Sequence, residues 1–208
     1  MTKLKLIFSL FALLLNGCAV FDGNEIPHTN LDYLKQDSFI PTLSYNVHAN
    51  TDLVTLSESS ETVHGVVEGE LLNVLESSQY FRRISRVDST ADIFMNITIT
   101  NSGSPIAVIP AFITGATLYI IPSWATDTFE VQANVISNNG LNKTYKFKDS
   151  TILVQWLPMA IFYPFNNFDT VPAVRKNIYR TLLKEMKNDG FFDRKTDVIE
   201  CSKSGEKS

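Results

Sequence analysis

Ala91-Asp-Ile-Phe-Met-Asn-Ile-Thr-Ile-Thr100 alternates without a slip, with Ile93, Met95, Ile97 and Ile99 on one side and Asn96, Thr98 and Thr100 on the other. A period of two predicts a strand with one buried and one wet face. Downstream, residues 127–137 and 143–148 alternate in the same way and meet at Asn138-Asn-Gly140, a strong hairpin signal. Upstream, Leu43, Tyr45 and Val47 alternate with Ser44, Asn46 and His48 within 41–49, and residues 80–87 form a shorter strand. Five strands are therefore expected.

Two segments change period. Over about 61–78, Val63, Val67, Leu71, Val74 and Leu75 share one helical stripe, with Glu61, Glu68 and Glu76 turned away and N-cap candidates in 57–60. Gly65 and Gly69 lie four apart in that helix, and close approach to a strand, or to a second copy of the chain, is the expectation. Over about 171–189, Val174, Ile178, Leu182 and Met186 make a second stripe. Thr170 is its cap, Pro172 sits in its first turn and Gly190 takes the C′ position. Arg175, Lys176, Arg180, Lys184 and Lys187 decorate this helix as a solvated basic face or a contact for anionic headgroups. Strands grouped between separated helices predict an α+β domain: a mixed or antiparallel sheet of about five strands with two main helices on one face.

The chain opens differently. Lys3 and Lys5 precede the ten-residue apolar run 6–15, which is too short to span a bilayer and suits an export signal. It ends in Leu15-Asn16-Gly17-Cys18, which resembles the bacterial lipoprotein signal. The resemblance implies cleavage before Cys18 and a diacylglycerol and an N-acyl chain on that cysteine. Ala19, in place of an aspartate, implies retention in the outer membrane, facing the periplasm. Two or more acyl chains anchor firmly where one does so only marginally. The expected organisation is a signal peptide over 1–17, a lipidated flexible tether over 18–40, the domain over 41–193 and a polar tail over 194–208.

Removal of 1–17 leaves 191 of the 208 residues and takes the net charge from −4 to −6 with the loss of Lys3 and Lys5. A net negative chain lacks the basic footprint of a nucleic-acid binder. With Cys18 acylated, Cys201 in the tail has no partner within the chain, so no disulfide is expected.

The stretch from Val63 to Ile99 holds Leu71-Leu72, Ser77-Ser-Gln-Tyr-Phe81 and Ala91-Asp-Ile-Phe-Met-Asn-Ile. It resembles the small α+β domain shared by the TolB N-terminal domain, the curli secretion lipoproteins and the peptidoglycan-synthase activator lipoproteins. Leu118-Tyr-Ile-Ile-Pro122, Tyr145-Lys-Phe-Lys-Asp-Ser150, Trp156-Leu-Pro158, Pro164-Phe165 and 177–183 are similar to proteobacterial lipoproteins with no assigned activity. These resemblances imply architecture and address.

No nucleophile elbow, zinc-protease helix or phosphate-cradling loop occurs, and His28, His48 and His64 lack metal-ligand spacing. Neither catalysis nor a metal is expected. The unusual composition lies in two uncharged apolar excursions, 105–122 and 152–165. They are open to three readings: packing together to finish the core, an exposed edge facing lipid or another subunit, or walls of a pocket for an apolar ligand such as a lipid chain. Leu118, Tyr119, Trp124, Trp156, Phe162, Tyr163 and Phe165 are the candidate interface or pocket residues. The expected role is a non-enzymatic outer-membrane lipoprotein, an accessory of an envelope complex that binds an unidentified envelope protein. A homo-oligomer is one form of this, and a periplasmic carrier of apolar ligand is the alternative.

Overall fold

A computed structural model describes residues 18–35, 38–51, 60–103, 107–161 and 169–193. In chain order the elements are β1 (Cys18–Asp22), β2 (Thr42–Thr51), α1 (Ser60–Ser78), β3 (Arg83–Arg86), β4 (Ile93–Gly103), α2 (Val108–Ala116), β5 (Ser123–Ser137), β6 (Asn142–Gln155), a 3-10 turn (Leu157–Ile161) and α3 (Thr170–Asn188). The α+β class holds, but among the described residues the sheet has six strands rather than about five and there are three α-helices rather than two main ones. Strand order is β1-β6-β5-β4-β2-β3. β2 runs parallel to both β3 and β4, with α1 supplying the crossover that a parallel pair requires, and β4, β5, β6 and β1 are successively antiparallel.

The alternation of residues 91–100 sorts the sheet as expected. Ile93, Met95, Ile97 and Ile99 are buried in one core with Leu43, Tyr45, Val47, Phe129, Val131, Ala133 and Val135. Val67, Leu71, Val74 and Leu75 of α1 and Val174, Ile178, Leu182 and Met186 of α3 join the same cluster, so both long helices cover one face. The other face is polar: Asn96 pairs with Asn46 and Asn134, and Thr98 with His48 and Gln132, Gln132 in turn with Lys146, and of these His48, Asn96, Gln132, Asn134 and Lys146 are exposed.

Three expectations need correcting. The supposed tether is packed down. Cys18–Asp22 forms an edge strand on Thr151–Gln155, because its backbone completes the pairing of β6 over the last five residues of that strand. The following strap then lies on α3. Thr29 N donates to Asn177 Oδ1 at 2.8 Å, and Asn177 Nδ2 donates to the carbonyls of Ile26 and Pro27 at 3.3 Å. Arg175 is not part of a solvated face. Its guanidinium donates from Nε and Nη2 to both oxygens of Glu70, at 2.6 and 2.7 Å, tying α3 to α1. Gly65 and Gly69 are not points of close approach, since a Cβ at either would meet nothing within 4 Å.

The terminal helix ends as read, with Gly190 at φ 84°, where an L side chain is strained. At its start Asp169 holds the N-cap position and Thr170 is the first helical residue, its hydroxyl donating to Val20 O at 3.5 Å.

Candidate functional site: an exposed apolar end beside Cys18

Sheet register brings the two excursions and the candidate lipidation residue to one end of the molecule. Cys18 pairs with Gln155, which pairs with Ser123, forming the last row of the sheet there. Ser123 Oγ donates to Gln155 Oε1 at 3.2 Å. Trp124 lies one row in, opposite Val154, which pairs in turn with Ala19. Cys18 is half-buried, and that burial raises its thiol pKa against the opposing hydrogen bond from Gln155.

The first excursion folds into α2. Pro110 stands in its first turn, where no intrahelical N–H is needed. Thr114, the buried residue of the helix, donates its hydroxyl back to Pro110 O at 3.0 Å. At the other end Tyr119 N donates to Thr114 O at 2.8 Å. Leu118 and Tyr119 both take positive φ, 52° and 63°, so the chain reverses sharply towards β5. Two successive non-glycine residues in that region cost roughly 1–3 kcal/mol each, so the turn is over-determined by its surroundings. The second excursion meets this turn, with Leu157 N donating to Tyr119 O at 2.8 Å.

The reading in which both excursions finish the core is overturned for the described part. Phe112 is 76 % exposed, Trp124 67 % and Ile109 66 %, and Leu118, Ile120, Ile121 and Trp156 are exposed as well. None of these residues belongs to the buried core, which closes without them. α2 is apolar on nearly every position, and while Thr114 is buried and the helix meets β5, Val108, Ile109 and Phe112 stay exposed. Between α2 and the start of β5 lies a groove of about 350 Å³, lined by Ala107, Pro110, Pro122, Trp124 and Thr126. No charged residue occurs between 104 and 126. The first beyond it, Asp127, has its carboxyl pKa pushed up by burial.

Of the candidates named from sequence, Cys18, Leu118, Tyr119, Trp124 and Trp156 converge on this end. Phe162, Tyr163 and Phe165 lie outside the described residues, as does Cys201. Ile109 and Phe112 had not been singled out. A uniformly apolar run shows no stripe, so periodicity could not say which residues would face out. Among the described residues no group of three or more His, Cys, Asp and Glu is placed to hold a metal, and no helix is long and apolar enough to cross a membrane.

No family model and no curated protein matches the chain. Among solved structures it is similar to the rare lipoprotein B from Shewanella oneidensis, at 9 % identity and a TM-score of 0.37, covering 69 % of this chain and 94 % of that one. It is also similar to a neuraminyllactose-binding hemagglutinin homolog from Helicobacter pylori, at 12 % identity and a TM-score of 0.38, covering 79 % and 89 %. Likeness of this degree carries nothing about activity.

Proposed function

We propose that this chain is a lipid-anchored envelope protein, held at the outer membrane through an acylated Cys18, that works by binding and not by catalysis. The observation that supports it best is the position of Cys18 in the sheet row next to an unpacked apolar end: an apolar surface of this extent, on a chain that closes its core elsewhere, marks a place of contact. Anchoring turns a weak contact with another envelope component into an effectively intramolecular one, which suits an accessory or assembly role. Metabolic labelling with a palmitate analogue tests the anchor. The wild-type chain should incorporate it and Cys18→Ser should not, whereas equal labelling, or none in either, overturns the reading.

The groove beside α2 supports a second reading, a carrier of apolar ligand. Mass spectrometry of lipid extracted from the purified protein separates the two, since a carrier holds non-covalent acyl chains at a fixed stoichiometry.

A further inference from the structure

We infer that the α2 end is a membrane seat: the exposed apolar side chains of α2 and the two tryptophans lie in the interfacial layer of the same bilayer that holds the acyl chains of Cys18. This rests on the anchor proposed above and says what the apolar end faces.

Three observations lead to it. The first is the lack of slack. Cys18 is already the first residue of β1, and the strap after it is fastened to α3 through Asn177 and Thr181, so no free spacer separates anchor from body. Acyl chains on Cys18 therefore bring this end of the sheet to the bilayer surface. The second is continuity, because the surface that arrives there is the uncharged apolar one, joined to the Cys18 row through Ser123 and Gln155. Phe112 and Ile109 project on a short helix that makes contact with β5, as expected of a segment lying in the interface and not across it. The third is the character of its edge: Trp124 is 67 % and Trp156 39 % exposed on this end, and indole rings favour the headgroup level. Because no basic residue lies in 104–126, apolar burial and not attraction to anionic lipid drives the seating, and it is insensitive to salt.

The chain has two tryptophans, both at this end, so tryptophan fluorescence, excited selectively over that of the seven tyrosines, reports on the site. The acylated protein is reconstituted into phosphatidylethanolamine–phosphatidylcholine vesicles in which part of the lipid carries bromine on its acyl chains. The expected result is strong quenching by bromolipid, little by aqueous iodide, and the same quenching at low and high salt. Phe112→Asp and Ile109→Asp, at exposed positions, should leave the fold and the acylation intact and reduce bromolipid quenching several-fold. Quenching by iodide but not by bromolipid, with Cys18 acylated, overturns the seat and spares the anchor. Protection from both quenchers means that a second copy or another protein covers this end, and also overturns it. An unacylated Cys18, read by mass spectrometry, overturns the anchor itself.

Discussion

Asp149 is 1 % exposed, and its Oδ1 accepts from the backbone N–H of Ser150 at 2.8 Å and of Glu25 at 3.1 Å, while Oδ2 is buried without a hydrogen-bond partner. Burial, reinforced by the nearby Asp22 and opposed by the backbone N–H groups of Ser150, Glu25 and Ile26, raises its pKa. A carboxyl whose folded pKa lies above the unfolded value takes up its proton more readily in the fold. Its effect therefore turns against stability as pH rises from about 4 through the folded pKa. Asp149→Asn keeps the acceptor and removes the charge. It should raise stability by on the order of 1 kcal/mol at pH 8, and denaturant titrations should show that gain shrinking towards pH 4. A gain that does not vary with pH would assign the effect to packing. Asp92 behaves oppositely. Thr42 donates to its Oδ2 from N at 2.8 Å and from Oγ1 at 2.7 Å, which holds its pKa below the usual value, so its contribution is present above about pH 4 and lost in acid. The Ala-Asp pair at the head of β4 was legible as a motif, and its physical reason is this clamp between the starts of β2 and β4. Asp149 was not legible, because Lys148-Asp149-Ser150 looks like any polar strand end until the strap returns over it from 125 residues away.

At the scale of elements, α1 carries two glycines whose missing side chains leave open space. Glycine inside a helix costs about 0.5–1 kcal/mol relative to alanine. Gly65→Ala and Gly69→Ala should each raise the unfolding free energy by roughly that amount, additively, in urea titration. If either substitution lowers stability in a concentration-dependent way, α1 is a contact between copies, as the four-residue spacing first suggested. The elements missed from sequence share one cause. Periodicity detects a segment that has a wet side and a dry side of its own. Cys18–Asp22 is too short to show a period, and it is a strand only because β6 offers an edge. α2 is apolar all round, so its pattern fits helix, strand and core alike, and the outcome depended on whether the core had room. By contrast the stripes of α1 and α3 and the alternation of β4 and β5 carried both faces in their own residues, and these were placed correctly.

For the whole molecule, if Cys18 carries the proposed acyl anchor, the absence of slack between it and the body sets an orientation. β5 starts at the apolar end and runs 15 residues to the hairpin at Asn138-Asn-Gly140, so at about 3.3 Å per residue the hairpin lies roughly 45 Å along the strand from that end. A free tether over 18–40 would instead have let the body sample heights up to about 70 Å. The pairing of β1 on β6 and the strap after it decide between these, and Asn177 fastens the strap: buried on α3, it accepts from Thr29 N and donates to the carbonyls of Ile26 and Pro27. Asn177→Ala should cost about 1–2 kcal/mol, because it strands the buried Thr29 N–H and takes a donor from Ile26 O, while Pro27 O keeps the hydroxyl of Thr29. A donor fluorophore at Asn139→Cys, in a Cys201→Ser background, with acceptors on the lipid headgroups of vesicles, measures the height directly. The acylated chain should give one narrow distance, near the length of β5. Asn177→Ala combined with Val20→Pro in β1 should broaden the distribution towards greater heights while Cys18 stays acylated, since both the strap and the β1–β6 pairing that hold the anchor to the body are then loosened. A distribution already broad in the unmodified strap would mean that the body swings on its anchor, and the bare polar face of the sheet would then have no fixed angle to whatever it meets.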